Sequence, residues 1–406
     1  MKKTLAFILA AGCVVGSYAT DARVEVMGKH DAFFRDEISV FRNPADMSLY
    51  PNMMYGSYGW VDKSKNGGAN FNSGRYDLLL SDPFFGAMIS HKTDEAENAP
   101  MISVGAFINR RDRMLDYLMA AGGYQSTILG TTNLKEPIGK LDLMFGYDMG
   151  NGIALGLGLY GAYQRVETNS KVTDQTAVYK LTAGINWNLD QGLDFEASFN
   201  GGSVTGTYTP TSGANVGVTQ KTSDGDYFYR GDVRFFSAVP AINGAFVPQV
   251  AMEIMKFNRR EIVDVAGGIG LNMNIDRGFF WTGVQGLYTT EDIGASQSKE
   301  SIGGRLSFGI ERNIVWDWFL IRVGGQKEIR FITEDGKKTS RWVENNKDND
   351  DPFAEDGLVG LGFGVNIDNR LRIDFVSSND VAYTLTNLIS GPHTSLFKRI
   401  SATYRF

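Results

Sequence analysis

From about Asn52 to the last residue, side-chain character alternates with a period of two, in stretches of about ten residues separated by turn formers. The clearest stretch runs from Ile153 to Tyr163. Ile153, Leu155, Leu157, Leu159 and Tyr163 fall on one face; Ala154, Gly156, Gly158, Tyr160 and Ala162 fall on the other. A period of two is that of a strand, whose side chains point alternately to opposite sides. Its upstream neighbour sets Leu141, Leu143, Phe145 and Tyr147 against Asp142, Met144, Gly146 and Asp148, and Met149-Gly150-Asn151-Gly152 between them is a hairpin signal. The pattern returns in Tyr179–Leu189, Leu193–Phe199, Val263–Ile275, Phe280–Tyr288, Ile302–Ile310, Val359–Ile367 and Leu371–Phe375. About 14 strands are expected.

A sheet of that size needs something to cover its greasy face, and the sequence offers no helices to do so. The apolar face therefore meets lipid, and the other face, carrying Asp, Glu, Arg, Asn and many glycines, lines a lumen. Backbone groups inside a bilayer must all be paired, which strands achieve only by closing into a barrel. The expected fold is all-β, a transmembrane antiparallel barrel. Gly at 48 of 406 residues and aromatics at 12% suit it. Short turns (Met149–Gly152, Asp190–Gly192, Asp276–Gly278, Asp368–Arg370) alternate with long polar connections (Arg110–Glu136, Gly206–Asp226, Thr333–Gly357), as in barrels with short periplasmic turns and long outer loops. A soluble propeller or solenoid would repeat every 40–50 residues or so, and no such repeat is present. A mean hydropathy of −0.19 excludes a polytopic helical membrane protein, and a net charge of −6 gives no support to nucleic-acid binding.

The first residues read as a secretory leader: Met1-Lys2-Lys3, an apolar run from Thr4 to Gly16, and small residues at Ser17 and Ala19 before a cut at Thr20. The only cysteine, Cys13, falls in that leader, so the exported chain is expected to lack disulfides. Sec-type export and an outer-membrane destination follow as expectations. At the other end Ile400, Ala402, Tyr404 and Phe406 share one face of a final strand that finishes on Phe. This resembles the sorting signal of outer-membrane barrels, which implies the barrel-assembly machinery as a partner during biogenesis.

Thr20 to Pro51 does not alternate. It holds Ala22-Arg23, then Met27-Gly28, and about fifteen residues later Asn43-Pro44-Ala45, just before the first strand. These motifs resemble the N-terminal segment of the FadL and PorV group of outer-membrane proteins. The resemblance implies a 14-strand barrel with a lumenal hatch, in which Arg23, Met27, Gly28, Asn43, Pro44 and Ala45 form the hatch motif. The expected organisation is residues 1–19 leader, 20–51 hatch or plug segment, and 52–406 outer-membrane barrel.

Little else in the chain carries chemistry. The three histidines, His30, His91 and His393, form no metal-ligating spacing, and no Gly-x-Ser-x-Gly elbow occurs, so no enzyme and no cofactor are expected. Gly156-Leu157-Gly158-Leu159-Tyr160-Gly161 matches a nucleotide fingerprint in letters only, because it sits inside a strand with no helix after it. Its glycines read as points where a strand bends or the lumen stays open. Asp348, Asp350, Asp351, Glu355 and Asp356 crowd one loop and are a weak candidate for a divalent cation. Arg110 to Met119 reads as a short amphipathic stretch, lying in the lumen or at the surface. The function expected is passive transport or binding of a small, hydrophobic solute. The alternatives are a PorV-type assembly or secretion partner for a surface protein and an open general porin.

Overall fold

The computed structural model describes residues 21–59, 83–96, 98–112, 114–115, 137–168, 171–189, 192–209, 219–222, 226–257, 260–293, 297–314, 316–334, 337–342, 359–377 and 397–406. The expected leader, His393 and the acidic group from Asp348 to Asp356 lie outside them. A six-residue helix, α1 (Asp21–Val26), and two 3₁₀ turns, Glu37–Phe41 and Pro44–Ser48, precede the sheet. The strands follow in chain order: β1 (Met53–Gly59), β2 (Phe84–Lys92), β3 (Met101–Ile108), β4 (Gly139–Asp148), β5 (Ile153–Thr168), β6 (Lys171–Asn188), β7 (Leu193–Tyr208), β8 (Gln220–Lys221) and β9 (Tyr227–Val239). The second half is β10 (Gly244–Phe257), β11 (Arg260–Ile275), β12 (Gly278–Ile293), β13 (Gln297–Asn313), β14 (Phe319–Glu334), β15 (Lys337–Trp342), β16 (Val359–Ile367), β17 (Leu371–Ser377) and β18 (Phe397–Arg405).

Sequence neighbours pair antiparallel, and the last strand pairs with the first, from Met53↔Arg405 to Gly59↔Arg399. The sheet is thereby a closed ring. Two of its strands are additions at the rim. β8 meets only Thr207 and Tyr208 of β7, whose body pairs with β9. β15 pairs with Ile329–Glu334 of β14, whose first half pairs with β16. The wall among the described residues therefore has 16 strands, not about 14. The shortfall has a physical cause. Where a strand packs against lumenal residues its inward side chains are apolar too: Met88 on β2, Phe107 on β3 and Val247 on β10 are buried, beside outward Ile89, Val104 and Val250. With both faces apolar the alternation does not stand out.

The polarity of the wall is that expected. Leu155, Leu157 and Leu159 are 39–59% exposed on the outside, while Tyr160 on the other face is 3% exposed. The same parity leaves Ile302, Leu306 and Phe308 exposed and buries Arg305, Ser307 and Glu311. A water-soluble protein buries its large apolar side chains and exposes its charges; this one does the reverse along strand after strand.

Candidate functional site

Residues 21–51 lie against the inward face of the ring on every side. The α1 helix is buried throughout. It ends where Met27 N–H and Lys29 N–H donate to the carbonyls of Arg23 and Val24, both at 2.9 Å, and the chain turns through Gly28 at φ +89°. That left-handed backbone suits glycine. A Cβ there would also stand 2.8 Å from Trp281 of β12.

Arg23 leaves the helix toward a buried charge cluster. Its Nε and Nη2 donate to both oxygens of Glu311 on β13, at 3.0 and 2.8 Å, and Nη1 reaches Asp36 at 3.3 Å. Its guanidinium sits over the rings of Phe34 and Phe279 at 5.1 and 5.0 Å. Glu311 also takes Arg322 of β14 at 3.0 Å and Arg372 of β17 at 3.4 Å, and both of these arginines pair with Asp374, at 2.7 and 3.0 Å. One carboxylate thus gathers three guanidinium groups, one from the N-terminal segment and two from the wall.

Other residues of the segment repeat the theme around the ring. Glu25 and Asp21 pair with Arg399 of β18. Glu37 accepts from Thr403 and Arg405, at 2.8 and 2.9 Å. Arg35 pairs with Asp194 and Glu196 of β7. Arg234 of β9 donates to Glu196 and to the carbonyls of Asp31 and Phe34. His30 meets Ser307 at 2.9 Å and packs edge-on to Trp281. Burial, with Arg305 and Arg42 nearby, pushes its pKa well below the usual histidine value, so the ring stays neutral.

Three rows of glycine make room for the backbone of the segment. Gly146, Gly156 and Gly184 are register partners across β4, β5 and β6, and Asn43-Pro44-Ala45 lies in the slot they leave. A Cβ at Gly184 would overlap Asn43 Oδ1, and one at Gly156 would overlap the Pro44–Ala45 peptide. Gly270 and Gly283, partners across β11 and β12, receive the ring of Phe33. Gly309, Gly324 and Gly360 run across β13, β14 and β16 and receive Val26 and Met27.

The local chemistry at the first slot explains Asn-Pro-Ala-Asp. Asn43 caps the 3₁₀ turn by accepting from Ala45 N–H at 3.2 Å, and Pro44 occupies the first position, where its missing N–H costs nothing. The Asn43 amide donates to Asn186 Oδ1 at 2.6 Å, and Asn186 in turn donates to Asp46 at 2.6 Å. Ser39 also donates to Asp46.

A second inward stretch comes from the connection after β3. Met114 and Leu115 are fully buried with Tyr160, Val178, Val204, Phe228 and Ile262. The choice between lumen and surface for this stretch is thus made for the lumen, at residues 110–112 and 114–115. Arg110 donates to Asp142 at 2.7 and 2.8 Å and stacks on Phe41 at 4.4 Å, Lys180 pairs with Asp112, and Tyr160 donates to the Arg110 carbonyl.

Of the residues singled out by sequence, Arg23, Met27, Gly28, Asn43, Pro44 and Ala45 are all in this lumenal assembly. Ile400, Ala402 and Tyr404 are on the outer face of β18, and Phe406 is exposed beside the start of β1, its N–H donating to Asn52 at 3.1 Å. Gly156 of the nucleotide-like string is a docking glycine, whereas Gly161 meets nothing within 4 Å. His91 is exposed on β2. Among the described residues no group of three His, Cys, Asp or Glu is placed to hold a metal ion. No motif in the sequence marks the wall side of the assembly, above all Glu311, Asn186 and the glycine rows, as the partner of the N-terminal segment. Its signal is parity: each is a polar or missing side chain at an inward position of a strand.

The chain is therefore a closed antiparallel β-barrel, apolar outside and polar within, its lumen occupied by its own residues. Neither a protein-family model nor a curated protein sequence matches it. Among solved structures it is similar to CdiB from Escherichia coli (TM-score 0.40, 8% identity, 87% of this chain and 63% of that one). It is also similar to a ΔS2 mutant of the TodX monoaromatic hydrocarbon channel (0.40, 9%, 96% and 99%) and to a Pseudomonas aeruginosa FadL homologue (0.30, 12%, 97% and 99%). The chain spans less than two thirds of the length of CdiB.

Proposed function

We propose that this protein is an outer-membrane barrel that passes a small solute passively, with residues 20–51 as a lumenal plug that shifts to open the path. The membrane assignment is supported by the outward apolar face and by aromatic residues at the short-turn end, where Trp316 and Trp318 stack at 5.2 Å and Tyr404 lies beside Phe406 at 6.5 Å. Such girdles sit at bilayer interfaces. The final strand, with Ile400, Ala402, Tyr404 and Phe406, serves as the recognition element for the assembly machinery.

The observation that carries the reading is how the plug is attached. It is held to the wall by ion pairs, hydrogen bonds and glycine slots that water can replace as it moves. No solute crosses while it stays. An open general porin has no use for such an attachment. In planar bilayers the intact barrel is expected to conduct at a low level, and a chain lacking residues 21–51 at least about ten-fold more, as a lumen of this strand number is a water-filled channel once emptied. Equal conductance of the two would refute the plug.

A further inference from the structure

Between the plug and the stretch 110–112 lies a cavity of about 80 Å³. Five cationic side chains line it: Arg42, Arg110, Arg111, Lys180 and Arg230. Only Asp31 and Asp112 among its lining residues are carboxylates. Asp142, Asp232 and Glu253 balance Arg110 and Arg230 from outside the lining, at 2.7, 2.6 and 3.5 Å. The wall is thus layered, with positive charge toward the cavity. Ile38, Phe41 and Phe228 make up its apolar part.

Arg42 supplies a second, independent sign. Its Nη1 donates to Asp31 at 2.6 Å, but its buried Nη2 has no hydrogen-bond partner among the described residues. A buried donor left unpaired is costly, and the natural remedy is an acceptor.

We propose that this cavity binds the carboxylate of a small organic acid of about three carbons, and that it is the selecting site on the solute's path. The second half of that statement rests on the plug-gated reading; the binding itself does not. A carboxylate matches the planar fork of an arginine, and a short alkyl body fits against Ile38, Phe41 and Phe228. Inorganic phosphate would turn charged oxygens toward those three side chains, which offer no donor.

The test is calorimetric titration of the full chain in detergent with propionate, and with propanamide and inorganic phosphate as controls. Propionate is expected to bind at least about ten-fold more tightly than either control. R42K keeps the charge beside Asp31 but loses the fork, and is expected to weaken propionate about ten-fold. F228W fills the cavity without changing its formal charge, and is expected to abolish binding even if R42K fails to fold. No heat with propionate, equal binding of propanamide or phosphate, or unchanged binding in F228W overturns the site. A barrel that binds propionate but never conducts once residues 21–51 are gone refutes passage and leaves the site standing. One that conducts but binds nothing refutes the site alone.

Discussion

Replacing Gly184 with valine is expected to free residues 43–48 from the wall while the barrel itself still forms. Position 184 is in the body of β6, where a β-branched side chain is favoured by the strand. Its inward side is occupied by Asn43, whose Oδ1 stands where the new Cβ must go, with Pro44 Cδ 3.3 Å away. Neither can retreat, because Asn43 is fixed by its own cap to Ala45 and by its bond to Asn186. Overpacking of this kind costs about 1–3 kcal/mol, and each hydrogen bond lost with it adds about 1 kcal/mol. The docked fraction of the turn is then expected to fall by roughly two orders of magnitude, since 1.4 kcal/mol is a factor of ten. The readouts are cleavage of residues 43–48 by added protease and a rise in conductance toward that of the plug-deleted barrel. Gly231→Val is the control, because a Cβ there meets nothing within 4 Å, and it is expected to change neither. Protection of residues 43–48 in Gly184→Val equal to the parent's would show that the glycine row does not seat the plug.

Glu311→Gln is expected to be the most destabilising single change in the lumen. The substitution keeps the shape and removes the charge that Arg23, Arg322 and Arg372 share. Asp36 and Asp374 remain, so three buried guanidinium groups face two carboxylates. Removing one partner of a buried ion cluster costs about 3–5 kcal/mol, chiefly because the charges left behind have lost their solvation as well as their counterion. The midpoint of urea unfolding in detergent micelles is expected to fall accordingly. Adding Arg23→Met removes one of the stranded cations, and the double variant is expected to recover part of the loss. If the two substitutions simply add, Arg23 and Glu311 do not form the buried pair described here.

The sequence carried the architecture well and the lumen poorly, for a physical reason that separates the two. Alternation is a local property, so Leu155, Leu157 and Leu159 against Ala154, Gly156 and Gly158 could be assigned to two faces without knowing what either face met. The hairpin at Met149–Gly152 is local too. The strand number is less secure because strands such as β3 and β10 carry apolar side chains on both sides, Phe107 and Val247 inward and Val104 and Val250 outward. The lumenal contacts are not local at all. Asn43 and Asn186 are 143 residues apart, and Arg23 and Glu311 are 288 apart. Register alone brings Gly146, Gly156 and Gly184 into one row; taken singly along the chain, each reads as a weak point in its strand. What the sequence does contain is the parity of these positions. Glycines and charges at inward sites of consecutive strands are a pattern that marks a wall built to receive something.

The central claim is that the outward side chains of the wall face acyl chains around a closed cylinder. It is most directly tested by spin labels on single cysteines at positions 153 to 163 of β5, introduced into a chain whose own Cys13 is replaced by serine. In bilayers, labels at 155, 157 and 159 are expected to collide preferentially with oxygen, which partitions into lipid. Labels at the inward positions 154, 160 and 162, which already carry side chains, are expected to be shielded from it, giving a period of two along the strand. Collision with a water-soluble nickel reagent at 155, 157 and 159, or no period at all, would contradict the barrel's orientation and with it the account of the lumen.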